Sequence, residues 1–192
     1  MSHTDGFASA SSLPSPGIVL DTNVVLDWLV FRSADSAPLR ECLTQGKVRW
    51  LASTAMRDEL FHVLARGTLA AWFPNSVEIS AAWDRYCLPV DALAPTGAAS
   101  RLRCTDQDDQ KFIDLAVAHG ARWLLSKDRA VLKLARRARL FGVEILAPAA
   151  WAARQTSVES PRDEVRGQGT PVAVRELDAR AIDGSAAAFD FR

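Results

Sequence analysis

Short apolar runs alternate with helix-length segments along most of this chain, and that alternation admits few architectures. Gly17-Ile18-Val19-Leu20 is apolar, rich in β-branched residues, and reads as a buried strand. Asp21-Thr22-Asn23 breaks it, after which Val24, Val25, Trp28 and Leu29 share one stripe of a helix. Ala37 to Gln45 reads as a second helix closed by Gly46, and Val48 to Ala52 as a second strand. Ser53 or Thr54 caps a helix that runs to about Arg66, where Gly67 ends it. In the less regular middle, Ala70 to Phe73 and Val77 to Tyr86 read as helical, Leu88 to Ala92 as a short strand, and Ala94 to Ser100 as a loop. The pattern then sharpens. Asp106 caps a helix from Gln107 to His119, Gly120 ends it, and Arg122 to Ser126 is a strand. Asp128 opens a further helix, Gly142 to Leu146 is a last strand, and Pro148 starts a short final helix. Strands and helices alternating in this way mean βαβ units with right-handed crossovers. The expected fold is a three-layer α/β/α sandwich around a mainly parallel sheet.

Composition fits one such domain. Of 192 residues, 48% are hydrophobic and 24% charged, as in ordinary globular proteins. No run approaches the roughly 18 apolar residues of a membrane span. Met1 to Pro16, rich in Ser, Ala and Pro, lacks a basic segment followed by an apolar one, so it is expected to be a loose leader rather than a signal peptide. The globular domain is expected over 17–154. Residues 155–192 mix Pro, Gly, Ser, Ala and charges without a sustained period, and are expected to form a tail largely disordered by itself. A cytoplasmic location is expected. Cys42, Cys87 and Cys104 are scattered and odd in number, which argues against a disulfide framework or a cysteine zinc site; the scattered histidines argue against a histidine one. Net charge is zero, but residues 17–154 carry 18 Lys and Arg against 15 Asp and Glu. Any attraction to nucleic acid must therefore be local.

Acids stand where the sheet should end. Asp21 follows the first strand and Asp128 follows the fourth, and in open α/β sheets ligands bind beyond the carboxyl ends of the strands. Each is equally an N-cap for the next helix. Glu59 shares the stripe of Met56, Leu60, Val63 and Leu64, where a carboxylate needs a compensating partner unless it reaches water. Asp106, Asp108 and Asp109 cluster at a helix start, a place the helix dipole already favours for acids. The conjunction carries more than any member. Carboxylates gathered in one crevice need counter-charge, and Mg²⁺ or Mn²⁺ is the natural partner of oxygen-only ligands. Such a centre suits phosphodiester hydrolysis.

At this point the sequence resembles PIN domains. Val19-Leu20-Asp21-Thr22-Asn23-Val24 is similar to the family's opening motif, and Glu59 lies in the helix that carries its second acid. Asp106-Gln107-Asp108-Asp109-Gln110-Lys111-Phe112, then Leu115-Ala116, Gly120-Ala121 and Leu125-Ser126-Lys127-Asp128, resembles its second half. The resemblance covers roughly Gly17 to Trp151 and is strongest to the toxins of bacterial type II toxin–antitoxin pairs. It implies a five-stranded parallel sheet with strands one and four adjacent. It implies an acidic quartet of Asp21, Glu59, Asp109 and Asp128, supported by Asn23 and Ser126. Asp106 is the alternative to Asp109. It further implies Mg²⁺- or Mn²⁺-dependent hydrolysis of RNA to 5′-phosphate and 3′-hydroxyl ends, and a cognate antitoxin protein. A homodimer is also expected.

Basic residues near the acids are candidates for substrate contact: Lys111, Lys127, Arg129 and Lys133, with Arg57, Arg136 and Arg137 beside them. The recurrence of Arg129, Lys133 and Arg136 or Arg137 at helical spacing also describes an ordinary solvated face. Trp28 and Trp123 are expected in the core, Trp72 and Trp83 at a subunit interface. Three other readings compete. A haloacid-dehalogenase-type phosphotransferase wants a second Asp where Asn23 stands. A PIN-like module could bind RNA without cutting it. A DNA nuclease could use the same fold, since nothing here reads the sugar.

Overall fold

The computed structural model describes residues 14–158. The expected leader and tail fall outside these, apart from residues 14–16 and 155–158. Five strands, β1 (Gly17–Leu20), β2 (Arg49–Ala52), β3 (Cys87–Pro89), β4 (Trp123–Leu125) and β5 (Glu144–Leu146), form one sheet in the order β3-β2-β1-β4-β5. Every pairing is parallel. Helices flank it: α1 (Thr22–Leu29), α2 (Ala37–Thr44), α3 (Thr54–Ala65), α4 (Ser76–Tyr86), α5 (Gln110–Ala118), the short α6 (Arg129–Leu132) and α7 (Ala135–Ala138), and α8 (Pro148–Val158). The three-layer α/β/α reading is therefore correct, and β1 and β4 are neighbours. Among the described residues no helix is long and apolar enough to cross a membrane.

The strands have no polar face because helices cover both sides of the sheet. Ile18, Val19 and Leu20 of β1 and Leu124 and Leu125 of β4 are all buried. Register decides where the chain emerges: Leu20 pairs with Leu125, so Asp21 and Ser126 leave the sheet side by side. The ladder extends past the strand ends, with the Asp21 amide donating to the Leu125 carbonyl at 3.0 Å and the Ser126 amide to the Leu146 carbonyl at 3.1 Å. Pro89 sits on the edge strand, where a missing N–H does little harm.

Under β2 lies an aromatic cluster. Trp50 packs edge-on against Trp28 (centroids 5.8 Å apart) and Trp83 (4.5 Å), and Trp28 meets Tyr86 at 5.5 Å. Trp123 packs against Trp151 at 5.9 Å. Trp28 and Trp123 are core residues, as expected. Trp83 is not at an exposed interface. It lies on the inward face of α4 with Ile79, because the helix stripe there turns toward Trp50. Trp72 is exposed and packs on Phe31 at 5.1 Å.

The strand expected over Leu88 to Ala92 runs instead over Cys87–Pro89, and two helices depart from the sequence pattern. The helix expected from Gln107 starts at Gln110. Asp106 folds back locally, its carboxylate accepting the Asp108 N–H at 2.9 Å. The Gln110 side chain ties down the preceding loop, accepting the Cys104 N–H and donating to the Leu102 carbonyl. The helix after Asp128 is broken in two, because the Leu134 amide bonds the Val131 carbonyl three residues back and interrupts the α ladder. Gly120, at φ 59°, makes the left-handed turn from α5 into β4 that a side chain would strain.

Candidate metal centre

Asp21 is the first residue beyond β1 and is buried, about 2% exposed. Its two oxygens divide the labour that the sequence left as alternatives. Oδ1 caps α1 by accepting the Asn23 N–H at 3.0 Å, while Oδ2 accepts the Ser126 hydroxyl at 2.6 Å. Capping and ligation are compatible because a carboxylate offers about four acceptor positions. Asp128 repeats the arrangement: Oδ1 accepts the Ala130 N–H and caps α6, and its own amide donates to Ser126 Oγ at 2.9 Å. Ser126, fully buried, thus links the two acids through one hydroxyl. Asn23 takes part through its backbone amide, its side chain being exposed.

Glu59 does not turn away into water. It lies one face-turn from buried Met56 and Leu60 on α3, a third exposed, and its Oε2 meets the Lys111 ammonium at 2.6 Å. Asp109 occupies the N-cap position of α5 but makes no side-chain cap bond, so its carboxylate remains available. Asp106 is exposed and committed to its local turn.

Electrostatics tie these acids together. Burial pushes the Asp21 carboxyl above its ordinary value, the bonds from Ser126 and Asn23 pull it back, and the charges of Glu59 and Asp128 push it up again. Asp109 is pushed up to about 6, chiefly by desolvation, then by Asp21, Asp128 and Asp106, with Lys111 opposing. Asp128 thus acts on both Asp21 and Asp109, while Glu59 acts on Asp21. Lys111 is the cation that opposes these charges at Asp109. The same surroundings raise the Cys104 thiol, after burial as the main cause, and burial pushes Cys87 up to about 12. Both are free thiols.

Among the described residues no three His, Cys, Asp or Glu side chains form a ready-made metal cage. The donor set nonetheless fits Mg²⁺ or Mn²⁺. It is oxygen-only, its charge is under-compensated, and Asp109 has a carboxylate without a capping partner. Asp21, Asp109 and Asp128 are the residues that could hold such an ion, with Glu59 paired to Lys111.

The basic candidates separate into two groups. Lys111 is on Glu59, and Lys127 reaches Asp27 at 2.8 Å. Arg57 turns toward α4, with Ser80 at 3.0 Å and Asp84 at 3.7 Å, and Arg137 donates to the Arg101 carbonyl. Arg129, Lys133 and Arg136 extend exposed from α6 and α7, just beyond Asp128. A cleft of about 570 Å³ opens beside Glu59 and Lys111, lined also by Asp58, His62, Arg66 and Asp108. Two supporting residues were not visible in the sequence. Asp27 anchors Lys127, between Ser126 and Asp128, and its place one turn beyond Asn23 on α1 was the available signal. Gln110 braces the Asp109 loop through hydrogen bonds that no spacing rule announces.

Two results follow from this geometry. Ser126→Ala removes the hydroxyl donor that stabilises ionised Asp21 and frees the Asp128 loop. Mn²⁺ affinity should fall about 10-fold, the usual scale for a residue that orients a ligand; calorimetric affinity equal to wild type would show the link to be idle. The raised carboxyls also set a pH dependence. Between pH 4 and about 6 folded Asp109 keeps a proton that the unfolded chain, near 3.8, has released. The folded state then binds more protons, so stability falls as pH rises through that window. After solvent screening Asp109 contributes about 1 kcal/mol, and Asp21 acts in the same direction. Thermal melts in EDTA should therefore give a higher midpoint at pH 5 than at pH 7, and Mn²⁺ at pH 7 should restore the difference. A midpoint that climbs steadily over this range in EDTA contradicts the assignment.

A family model described as PIN domain matches residues 17–130. No curated protein matches the sequence.

Proposed function

We propose that this chain, which belongs to the PIN-domain family, is a Mg²⁺- or Mn²⁺-dependent endoribonuclease, the toxin of a type II toxin–antitoxin pair. The family's nuclease fold makes a nucleic acid the expected substrate. The observation that carries the reading is that Asp21 and Asp128 follow the adjacent strands β1 and β4 and are linked through the Ser126 hydroxyl, with the charges of both reaching Asp109 and that of Glu59 reaching Asp21. When bound, the divalent ion supplies an acidified water and offsets charge on the phosphate. The chain's own part is positional. Ser126 and the amide of Asn23 fix the Asp21 carboxylate, and the N-termini of α1 and α6 direct partial positive charge at Asp21 and Asp128. Asp109, whose carboxylate makes no cap bond, would complete the oxygen donor set beside Asp21 and Asp128. Arg129 and Lys133 beyond Asp128 offer phosphate contacts, with Lys127 restrained by Asp27.

The domain reading is a catalytic unit over 17–154 with a leader and a tail. The toxin reading adds an antitoxin partner, a second copy of the chain, and a cytoplasmic location with the RNA. Exposed Phe31, Trp72, Phe73 and Val77 support a protein contact. The test is digestion of a single-stranded RNA and the matching DNA, with Mn²⁺, with Mg²⁺ and with EDTA. Metal-dependent cleavage of the RNA supports the proposal. Cleavage of DNA alone makes it a DNA nuclease, and RNA binding without cleavage makes it a non-catalytic module.

A further inference from the structure

Lys111 is held at three points that a substrate-contacting lysine would not need. Its ammonium lies 2.6 Å from Glu59 Oε2, donates to the Asp108 carbonyl, and stands 4.9 Å from the centre of the Phe112 ring. The pair is only partly exposed, 29% for Lys111 and 33% for Glu59. Glu59 Oε2 itself is shielded from water and has no hydrogen-bond partner among the described residues, so the Lys111 ammonium is the charge that compensates it. The two residues come from different elements, α3 and the first turn of α5, and Lys111 stands two positions after Asp109. Its charge reaches Asp109 as well, where it opposes the acids.

We propose that Lys111 is a built-in placeholder cation: it neutralises Glu59 in the metal-free protein and yields Glu59 when a divalent ion is bound. The inference rests on the metal-dependent reading above. Glu59 is then an exchangeable ligand, and the affinity of the centre is set by a competition inside the chain. Asp21 and Asp128 are not subject to it, because their partners are neutral donors: a hydroxyl and backbone amides. Lys111 lines the 570 Å³ cleft together with His62 and Arg66, so a released ammonium has open space to move into.

Calorimetric titration of Mn²⁺ into the full chain tests this without any turnover. Lys111→Gln should bind Mn²⁺ about three- to fivefold more tightly than wild type, the scale of losing one partly exposed ion pair. Lys111→Met serves as a second neutral variant should the first fold poorly, and Lys111→Arg should stay at wild-type affinity. In a Glu59→Gln background the effect of Lys111→Gln should shrink to the part that Lys111 exerts on Asp109. Unchanged or weaker binding by the neutral variants overturns the placeholder role. Tightening of undiminished size in the Glu59→Gln background also overturns it, because Lys111 would then act on the whole field rather than through Glu59. Failure of wild type itself to bind Mn²⁺ is a different result: it removes the metal-dependent reading on which this inference stands.

Discussion

Asp21→Asn is expected to lower metal-dependent RNA cleavage by on the order of 10³-fold while leaving the fold intact. The separation of the two effects follows from what each oxygen does. Asn is as good an N-cap as Asp, so the bond from the Asn23 amide to the start of α1 survives. The lost property is charge, at the most buried acid of the group. Burial and the charges of Glu59 and Asp128 already make ionised Asp21 unfavourable in the empty centre, so the metal-free variant should melt at the wild-type temperature or slightly above it. It should also lose the Mn²⁺-induced rise in melting temperature that linkage gives the wild type. Cleavage and melts together decide the matter. A folded Asp21→Asn protein that cuts RNA at the wild-type rate would falsify the assignment of Asp21 as a ligand.

Trp50→Ala should produce the largest loss of stability, about 4 kcal/mol. Trp50 is completely buried at the centre of the aromatic cluster, where Trp28, Trp83 and Tyr86 from two helices meet β2. Removing it leaves a cavity bounded by large rings that cannot collapse. Against the roughly 5–15 kcal/mol that holds a typical domain, this brings the chain close to unfolding at 37 °C. Trp50→Phe should be much milder. The indole N–H of Trp50 has no hydrogen-bond partner among the described residues, so Phe discards an unsatisfied buried donor along with part of the packing. Urea unfolding of both variants measures the difference. Equal losses for Ala and Phe would mean that the indole N–H is satisfied in solution and that the packing argument is incomplete.

The parallel sheet was legible because apolar, β-branched runs such as Ile18 to Leu20 carry no alternation, the signature of strands covered on both faces. Asp21 and Asp128 were legible for a related reason: each is the polar residue that ends or follows such a run. The start of α5 was not. Three acids in four positions each suit a helix N-terminus, and only the side-chain bonds of Asp106 and Gln110 decide that the helix begins after Asp109. Trp83 was misplaced because its segment has a weak pattern and its burial depends on Trp50, 33 positions earlier in the chain. The Lys111–Glu59 pair was hidden by distance along the chain, since helix spacing predicts contacts within α3 or within α5 but none between them.

The central claim is that carboxylates distant in sequence share one divalent ion at the end of β1 and β4. Anomalous diffraction from a crystal soaked in Mn²⁺ tests it most directly. The account predicts a peak within about 2.2 Å of a carboxylate oxygen of Asp21 and of Asp109 or Asp128, the ordinary Mn–O range. Mn²⁺ bound only elsewhere on the protein, with these carboxylates left in their present hydrogen bonds, would contradict it.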